Sequence, residues 1–538
     1  MQARLFAPVA ALAALLALSC GKVAGPSEPV ENTGMCVTDF SCAFGEECDG
    51  AACAPIAPTL RPHIQTASFL LRDPIDANEA SWRASHFDVL IAVGDLDVAR
   101  AANPNAKLYN YLVTRFNRFD LPGTPKTAMA WAANHGYNGE DFYLHYKEDT
   151  VVPTWEGKVI VPGYAAGMVP GWVPGSPKPG ATAQTRDQSR VPGYYSGGEP
   201  WWMANLANPG YRKFLDAYLA GSLDGTWWYN QKWATGPADG TMIDVSIWYP
   251  AYHEGVLEHS VEYYGIPVND GHPYTYAVES SFPALAADML EEFGSTKDIM
   301  PNYSHVLFLN YDNRCAQNIQ KTTPWIYGEV WVTYTGLSGP TQGTGRCMSE
   351  DYDYDQGVRQ IIYQTRAGGR RVLGAQDLAG GLSGTDRGKM LTLALYYLVH
   401  NSHTYYMYES TNQHSQAEDI STWNYNPAVD FDIGQPDQIP NGTTDFEGKA
   451  NTKEHFLFKS GADPIDNTLT YHVWARRFTN ALVLVKLMPV GSNTGSLSAT
   501  TVDLGGSYML LNVDGTVGAP VTQTTIRNNE ALILIPAN

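Results

Sequence analysis

The sequence predicts an α/β fold, an eight-stranded barrel, followed by a small antiparallel β-sandwich and preceded by a Cys-rich module. Three observations carry this. From about residue 60 to 445, short apolar runs alternate with longer helical patterns, the signature of a parallel sheet with crossovers. From about 450 onward helical patterns vanish and short β-rich runs follow one another. Near the start, Cys36, Cys42, Cys48 and Cys53 crowd into one short segment.

Residues 1–19 carry Arg4 and an apolar run from Leu5 to Leu18, too short to span a bilayer and suited to a signal peptide. The run ends Leu16-Ala17-Leu18-Ser19-Cys20-Gly21, which resembles a bacterial lipobox. That resemblance implies cleavage before Cys20 and lipidation of its thiol, with ordinary secretion as the alternative. Residues 20–58 then form a tether and the four-cysteine module, which in an exported chain reads as disulfide-stapled, with three pairings open. The expected location is extracytoplasmic: an outer-membrane or cell-surface lipoprotein, or a secreted protein.

The barrel is expected over residues 59–445. Its candidate strands are Ala67–Leu71, Phe87–Val93, Lys107–Val113, Gly240–Asp244, Val306–Asn310, Trp325–Glu329, Arg371–Gln376 and Thr404–Tyr408. The clearest helical patterns are Phe282–Phe293, Tyr354–Ala367 and Asp386–Val399. An insertion of about 134–238 is rich in Gly and Pro, and residues 151–250 hold eight of the 14 Trp. So many indoles are costly to leave in water, so the segment is expected to form one wall of a cleft. Residues 446–538 supply the sandwich, with runs at His455–Lys459, Leu469–Trp474, Ala481–Leu487, Tyr508–Asn512 and Ala531–Ile535.

Composition narrows the function. Charged residues make up 17% and hydrophobics 44% of the 538 residues, a folded chain without bulk disorder. A formal charge of −20 argues against nucleic acid or anionic lipid headgroups as partners. The 32 Tyr and 14 Trp suit flat apolar platforms for sugars, although large cores also absorb such rings.

Asp244 ends the Thr241-Met242-Ile243 run, and Glu329 follows Trp325-Ile326-Tyr327-Gly328. In a barrel, strand ends form the catalytic face. Two carboxylates there meet the need of glycosidic-bond cleavage: one protonates the leaving oxygen, the other stabilises positive charge or activates water. Glu329, among Trp325, Tyr327 and Trp331, is assigned as general acid and Asp244 as nucleophile or base. The plainer reading is that each acid caps a helix or pairs with an arginine. Candidate substrate-binding residues are Asp95, Tyr111, His145, Trp248, Asn310, Gln376, Asp377 and Glu409, with Asn110 a weaker one. Asp377 is the runner-up acid, and His145 is as well explained as a satisfied core histidine. Asp351, Asp353 and Asp355 are read as first-turn acids of a helix, not as a calcium site. His400 and His403 lack a third ligand nearby, so no metal and no cofactor are expected. Cys315 and Cys347, flanking the Glu329 strand, are expected to form a disulfide.

The chain resembles glycoside hydrolases built as a barrel followed by a β-sandwich. The similar pieces are Phe87-Asp88-Val89-Leu90-Ile91, Asn103-Pro104, Lys107-Leu108-Tyr109-Asn110-Tyr111, Phe142-Tyr143-Leu144-His145, the Asp244 strand, Tyr327-Gly328-Glu329 and Ala475-Arg476-Arg477-Phe478-Thr479-Asn480-Ala481-Leu482-Val483-Leu484-Val485. The resemblance spans about residues 60–538 and implies carboxylate catalysis on a carbohydrate, without fixing which one. The rival is a catalytically silent glycan-binding lipoprotein, separable from an enzyme through Asp244→Asn and Glu329→Gln. A peptidase or esterase lacks support: there is no Gly-x-Ser-x-Gly and no His-Glu-x-x-His. A monomer is expected, touching a membrane only through its lipid.

Overall fold

The structure is a computed structural model. It describes residues 46–48, 53–55, 64–70, 77–92, 96–113, 116–117, 128–143, 145, 154–155, 158–159, 192–196, 199–220, 236–244, 284–289, 291–293, 297–302, 323, 325–334, 370–378, 385–400, 403–408, 426–435, 457–489 and 498–537. The chain divides into two compact units. One comprises Met1–Thr33, Tyr109–Tyr303 and Asp312–Thr323; the other comprises Gly34–Leu108, Ser304–Tyr311 and Pro324–Asn538.

In chain order the α/β part contains β1 (Ala67–Leu70), α1 (Ala77–His86), β2 (Val89–Ala92), α2 (Leu96–Ala102), β3 (Lys107–Val113), α3 (Ala128–Asn134), α4 (Pro209–Leu219), β4 (Gly240–Asp244), β5 (Asp298–Pro301), β6 (Trp325–Tyr334), β7 (Arg370–Leu378), α5 (Asp386–Val399) and β8 (Thr404–Tyr408). Seven of these strands overlap expected ones. The expected strand Val306–Asn310 and helix Tyr354–Ala367 lie outside the described residues. A strand not expected from the sequence, β5, pairs with β4, parallel and in register from Gly240↔Asp298 to Ile243↔Pro301. Residues 284–289 and 291–293, inside the expected Phe282–Phe293 pattern, are helical.

In the second unit β6, β7 and β8 lie side by side in parallel. A parallel bridge between Thr66 and Tyr406 sets β8 beside the entry to β1, which pairs in parallel with β2. Val89, Leu90, Ile91 and Ala92 are all fully buried, as expected for a strand covered on both faces. Asp88 fixes the entry to β1, because its Oδ2 accepts from the Thr66 N–H at 2.8 Å. The boundary between the units falls inside β3: Lys107 still donates to Asp88 O at 2.7 Å, and from Tyr109 the strand belongs to the first unit.

In the first unit β3 and β4 pair in parallel from Tyr109↔Gly240 to Val113↔Asp244. Gly240 is required by close approach: a Cβ there would strike the Asp298 carbonyl and lie 2.7 Å from the Tyr109 ring. The 134–238 segment holds regular structure that sequence patterning did not predict, including α4. Asn208 caps α4, its Oδ1 accepting from Gly210 N and Tyr211 N at 2.8 and 3.2 Å, and Pro209 occupies the first turn. Asn-Pro reads equally as a turn, and that ambiguity hid the helix. Trp131 of α3, Phe142, and Tyr211 and Phe214 of α4 form one aromatic cluster, with ring centroids 5.6–6.5 Å apart between neighbours.

The C-terminal part contains β9 (Leu457–Ala462), β10 (Thr470–Arg477), β11 (Leu482–Lys486), β12 (Ala499–Leu511), β13 (Val517–Arg527) and β14 (Glu530–Pro536). They are hydrogen-bonded in the order β9-β10-β11-β14-β12-β13, antiparallel throughout, where a small antiparallel sandwich is expected from the sequence. One sheet does the work of two because β12 is interrupted between Asp503 and Tyr508, at Gly505 with φ +68°. Val502 and Leu504 thereby join Leu482, Leu484, Leu532 and Leu534 in one apolar cluster. The other face covers α5, whose Leu391, Leu393 and Tyr397 share a core with Val483, Val485 and Ile533. Strand β13 escaped prediction because it is mostly exposed and reads Val-Thr-Gln-Thr-Thr, without an apolar alternation.

Candidate active site around Asp244

Register places Tyr109 and Tyr111 of β3, Met242 and Asp244 of β4, and Met300 of β5 on one face of the sheet. Asn302 continues that face just past β5, where its N–H donates to Ile243 O at 2.7 Å. At this C-terminal end the Tyr111 hydroxyl donates to Asp244 Oδ2, and the Asn302 amide donates to Asp244 Oδ1 at 2.7 Å. Each neighbouring strand therefore contributes one neutral donor to one carboxylate. Asp244 is half-buried and Asn302 buried, so the carboxylate is oriented yet reachable from solvent. Lower on the same face, the Tyr109 hydroxyl donates to Asp298 Oδ2 at 3.1 Å.

Asn302 was missed because the run Asp298-Ile299-Met300-Pro301-Asn302 is short and ends in proline. The usable signal was a short apolar run ending in a polar residue just after a helical pattern.

Other expected site residues are placed as follows. Asn110 lies on the opposite face, fully buried, and neither amide atom has a hydrogen-bond partner among the described residues. His145 is buried, its Nε2 2.8 Å from Glu140 O and 3.7 Å from Glu140 Oε2. Glu329 belongs to β6, and Gln376 and Asp377 to β7, but their side chains lie outside the described residues. Asp95, Trp248, Asn310, Glu409, Cys20, Cys315 and Cys347 also lie outside them. Of the four clustered cysteines, Cys48 and Cys53 are register partners in a short antiparallel pair.

Buried groups outside this face with displaced protonation include Asp216 and His400. Burial, reinforced by Asp288 and Glu292, pushes the Asp216 carboxyl on α4 up to about 7. Burial, with Arg476 adding repulsion, lowers the His400 imidazole to about 3. The His400 Nδ1 lies 2.9 Å from the Tyr396 hydroxyl. Among the described residues no group of three His, Cys, Asp or Glu is arranged to hold a metal ion, and no helix is long and apolar enough to cross a membrane.

No protein-family model and no curated protein matches the sequence. Solved structures do overlay on it. An isomaltulose synthase variant from Erwinia rhapontici NX5, in complex with D-glucose, aligns with TM-score 0.39 and 11% identity, over 89% of this chain and 100% of its own. The trehalulose synthase MutB from Pseudomonas mesoacidophila MX-45 aligns with TM-score 0.42 and 10% identity, over 89% and 100%. A GH31 dextranase from Flavobacterium johnsoniae, complexed with glucose, aligns with TM-score 0.32 and 10% identity, over 88% of this chain and 51% of its own. These neighbours are of glycoside hydrolase type, and at such scores the likeness fixes neither reaction nor substrate.

Proposed function

We propose that the protein is an extracytoplasmic glycoside hydrolase that cleaves a poly- or oligosaccharide with paired carboxylates in a (β/α)8 barrel. The observation that carries the reading is the Asp244 carboxylate at a strand end, held by one donor from each flanking strand. Such a group accepts on both oxygens and presents a fixed negative edge to an oxocarbenium-like centre, as a nucleophile or base requires. The chemistry also needs a proton donor for the leaving oxygen, and Glu329 of β6 is assigned that role by strand position. Export through the leader and anchoring through Cys20 complete the proposal, and no step needs a cofactor.

The test is turnover on a glycan panel by purified wild type, Asp244→Asn and Glu329→Gln. The reading expects both variants to fold as wild type and to lose activity on the same glycan by about 10³-fold or more. Unchanged turnover in Asp244→Asn would overturn it.

A further inference from the structure

The C-terminal sheet contains a nucleophile that the proposed hydrolysis does not use. Lys486, the last residue of β11, is fully buried, and so are Ser498 and Asn528, while Asp463 is 2% exposed. The Lys486 ammonium donates to Asn528 Oδ1 at 2.5 Å, to Ser498 O at 3.3 Å and to Ser498 Oγ at 3.4 Å. The Tyr471 ring centroid lies 5.4 Å from Nζ. The Ser498 hydroxyl in turn donates to Asp463 Oδ2 at 2.6 Å. The amine thus touches the carboxamide directly and reaches the carboxylate through one hydroxyl, all among buried side chains.

The arrangement is held from outside. The N–H of Asn528 donates to Ser498 O at 3.0 Å, and Arg387 of α5 donates to Asn528 O at 2.5 Å and Asn529 O at 3.1 Å. The turn carrying the carboxamide is therefore tied to Ser498 and to α5, and two residues on, Glu530 pairs in register with Lys486 itself. Burying an ammonium is costly, and conversion to an uncharged amide removes that cost permanently.

We propose that Lys486 and Asn528 form an intramolecular isopeptide bond. Nζ of Lys486 attacks Cγ of Asn528, the Nζ–Cγ bond forms and the Cγ–Nδ2 bond breaks. Nζ gives up two protons, and Nδ2 takes them and leaves as ammonium, so atoms and charge balance without an external reagent. Asp463, reached through the Ser498 hydroxyl, relays protons between the two nitrogens. Burial pushes the Asp463 carboxyl up, but hydrogen bonds from Ser498, Ile465 N–H and Asp466 N–H outweigh it and hold the group below its usual range. It therefore stands ionised and ready to accept. Oδ1 of Asn528, already accepting from Nζ, places the electrophilic carbon one bond from the amine's contact atom.

The experiment is tryptic mass mapping of the denatured full-length protein. Acylation of Lys486 blocks cleavage there, so the 478–527 peptide should be found joined to the C-terminal peptide beginning at Asn528, lighter than their sum by one ammonia. Lys486→Arg should release the C-terminal peptide, and Asp463→Asn should show a reduced cross-linked fraction. Recovery of the separate 478–486, 487–527 and 528–538 peptides from wild type, without the joined species, would overturn the proposal. Because wild type alone decides this, a variant that fails to fold leaves the test intact.

Discussion

Each oxygen of Asp244 accepts from a different strand, so removing one donor should misplace the carboxylate without unfolding the sheet. Tyr111→Phe and Asn302→Ala are each expected to lower kcat by about 10- to 100-fold, the equivalent of one hydrogen bond to a charged group. Steady-state kinetics on the responsive glycan checks this, and equal losses in KM alone would contradict a positioning role. Asp216 belongs to stability instead. Folded, it keeps its proton to about pH 7; its ordinary value is 3.8. The folded state therefore binds more protons in that window, and this group's contribution to stability falls as pH rises from about 4 to 7, by about 4 kcal/mol. Because His400 titrates with the opposite sign in the same range, the readout is the difference between the two proteins: the denaturant midpoint of wild type minus that of Asp216→Asn should decrease as pH rises from about 4 to 7. The place of Asp244 at the end of β4 was legible in the sequence, because a short apolar run leads straight into it. Asn302 was not, because nothing local marks a four-residue strand that gains its meaning from its neighbour.

At the scale of elements, α5 is held at its C-terminus by a residue of the sheet beyond it. Arg476 of β10 is buried, and its Nη1 donates to Tyr397 O at 3.0 Å, Leu398 O at 3.2 Å and His400 O at 2.7 Å. Tyr397 O also accepts from the His400 N–H at 3.3 Å, and a cation suits the carbonyl-rich, negative end of the helix dipole. Arg476→Met should cost about 2–4 kcal/mol, read as a lowered Tm with the same folded circular dichroism. His400 beside it stays neutral when folded, about 3 against an ordinary 6.5. The unfolded chain then binds the extra proton, so stability is full above about pH 6.5 and is lost as pH falls towards 3; His400→Gln should flatten that limb. Helix α5 matched its predicted bounds because it is apolar on every turn and capped by Thr385, whose hydroxyl accepts from Gly388 N–H at 3.1 Å. Helix α4 and strand β13 were hidden for opposite reasons: one begins with a turn signal, the other lacks an apolar face.

For the whole molecule, the alternation of strand and helix and the change of character near residue 450 were readable from periodicity alone. What periodicity could not give was how one bent sheet covers both its own interior and α5, since that depends on an interruption at Gly505 and not on pattern. A chain ending near residue 450 would uncover Leu391, Leu393 and Tyr397, so it should be recovered as aggregate, whereas a soluble, cooperatively unfolding fragment would show that α5 does not depend on the sheet. The most direct test of the central reading is glycan turnover by wild type beside Asp244→Asn at matched folded concentration. The account predicts measurable cleavage of at least one glycan by wild type and a loss of about 10³-fold in the variant. Equal rates from the two proteins would contradict it.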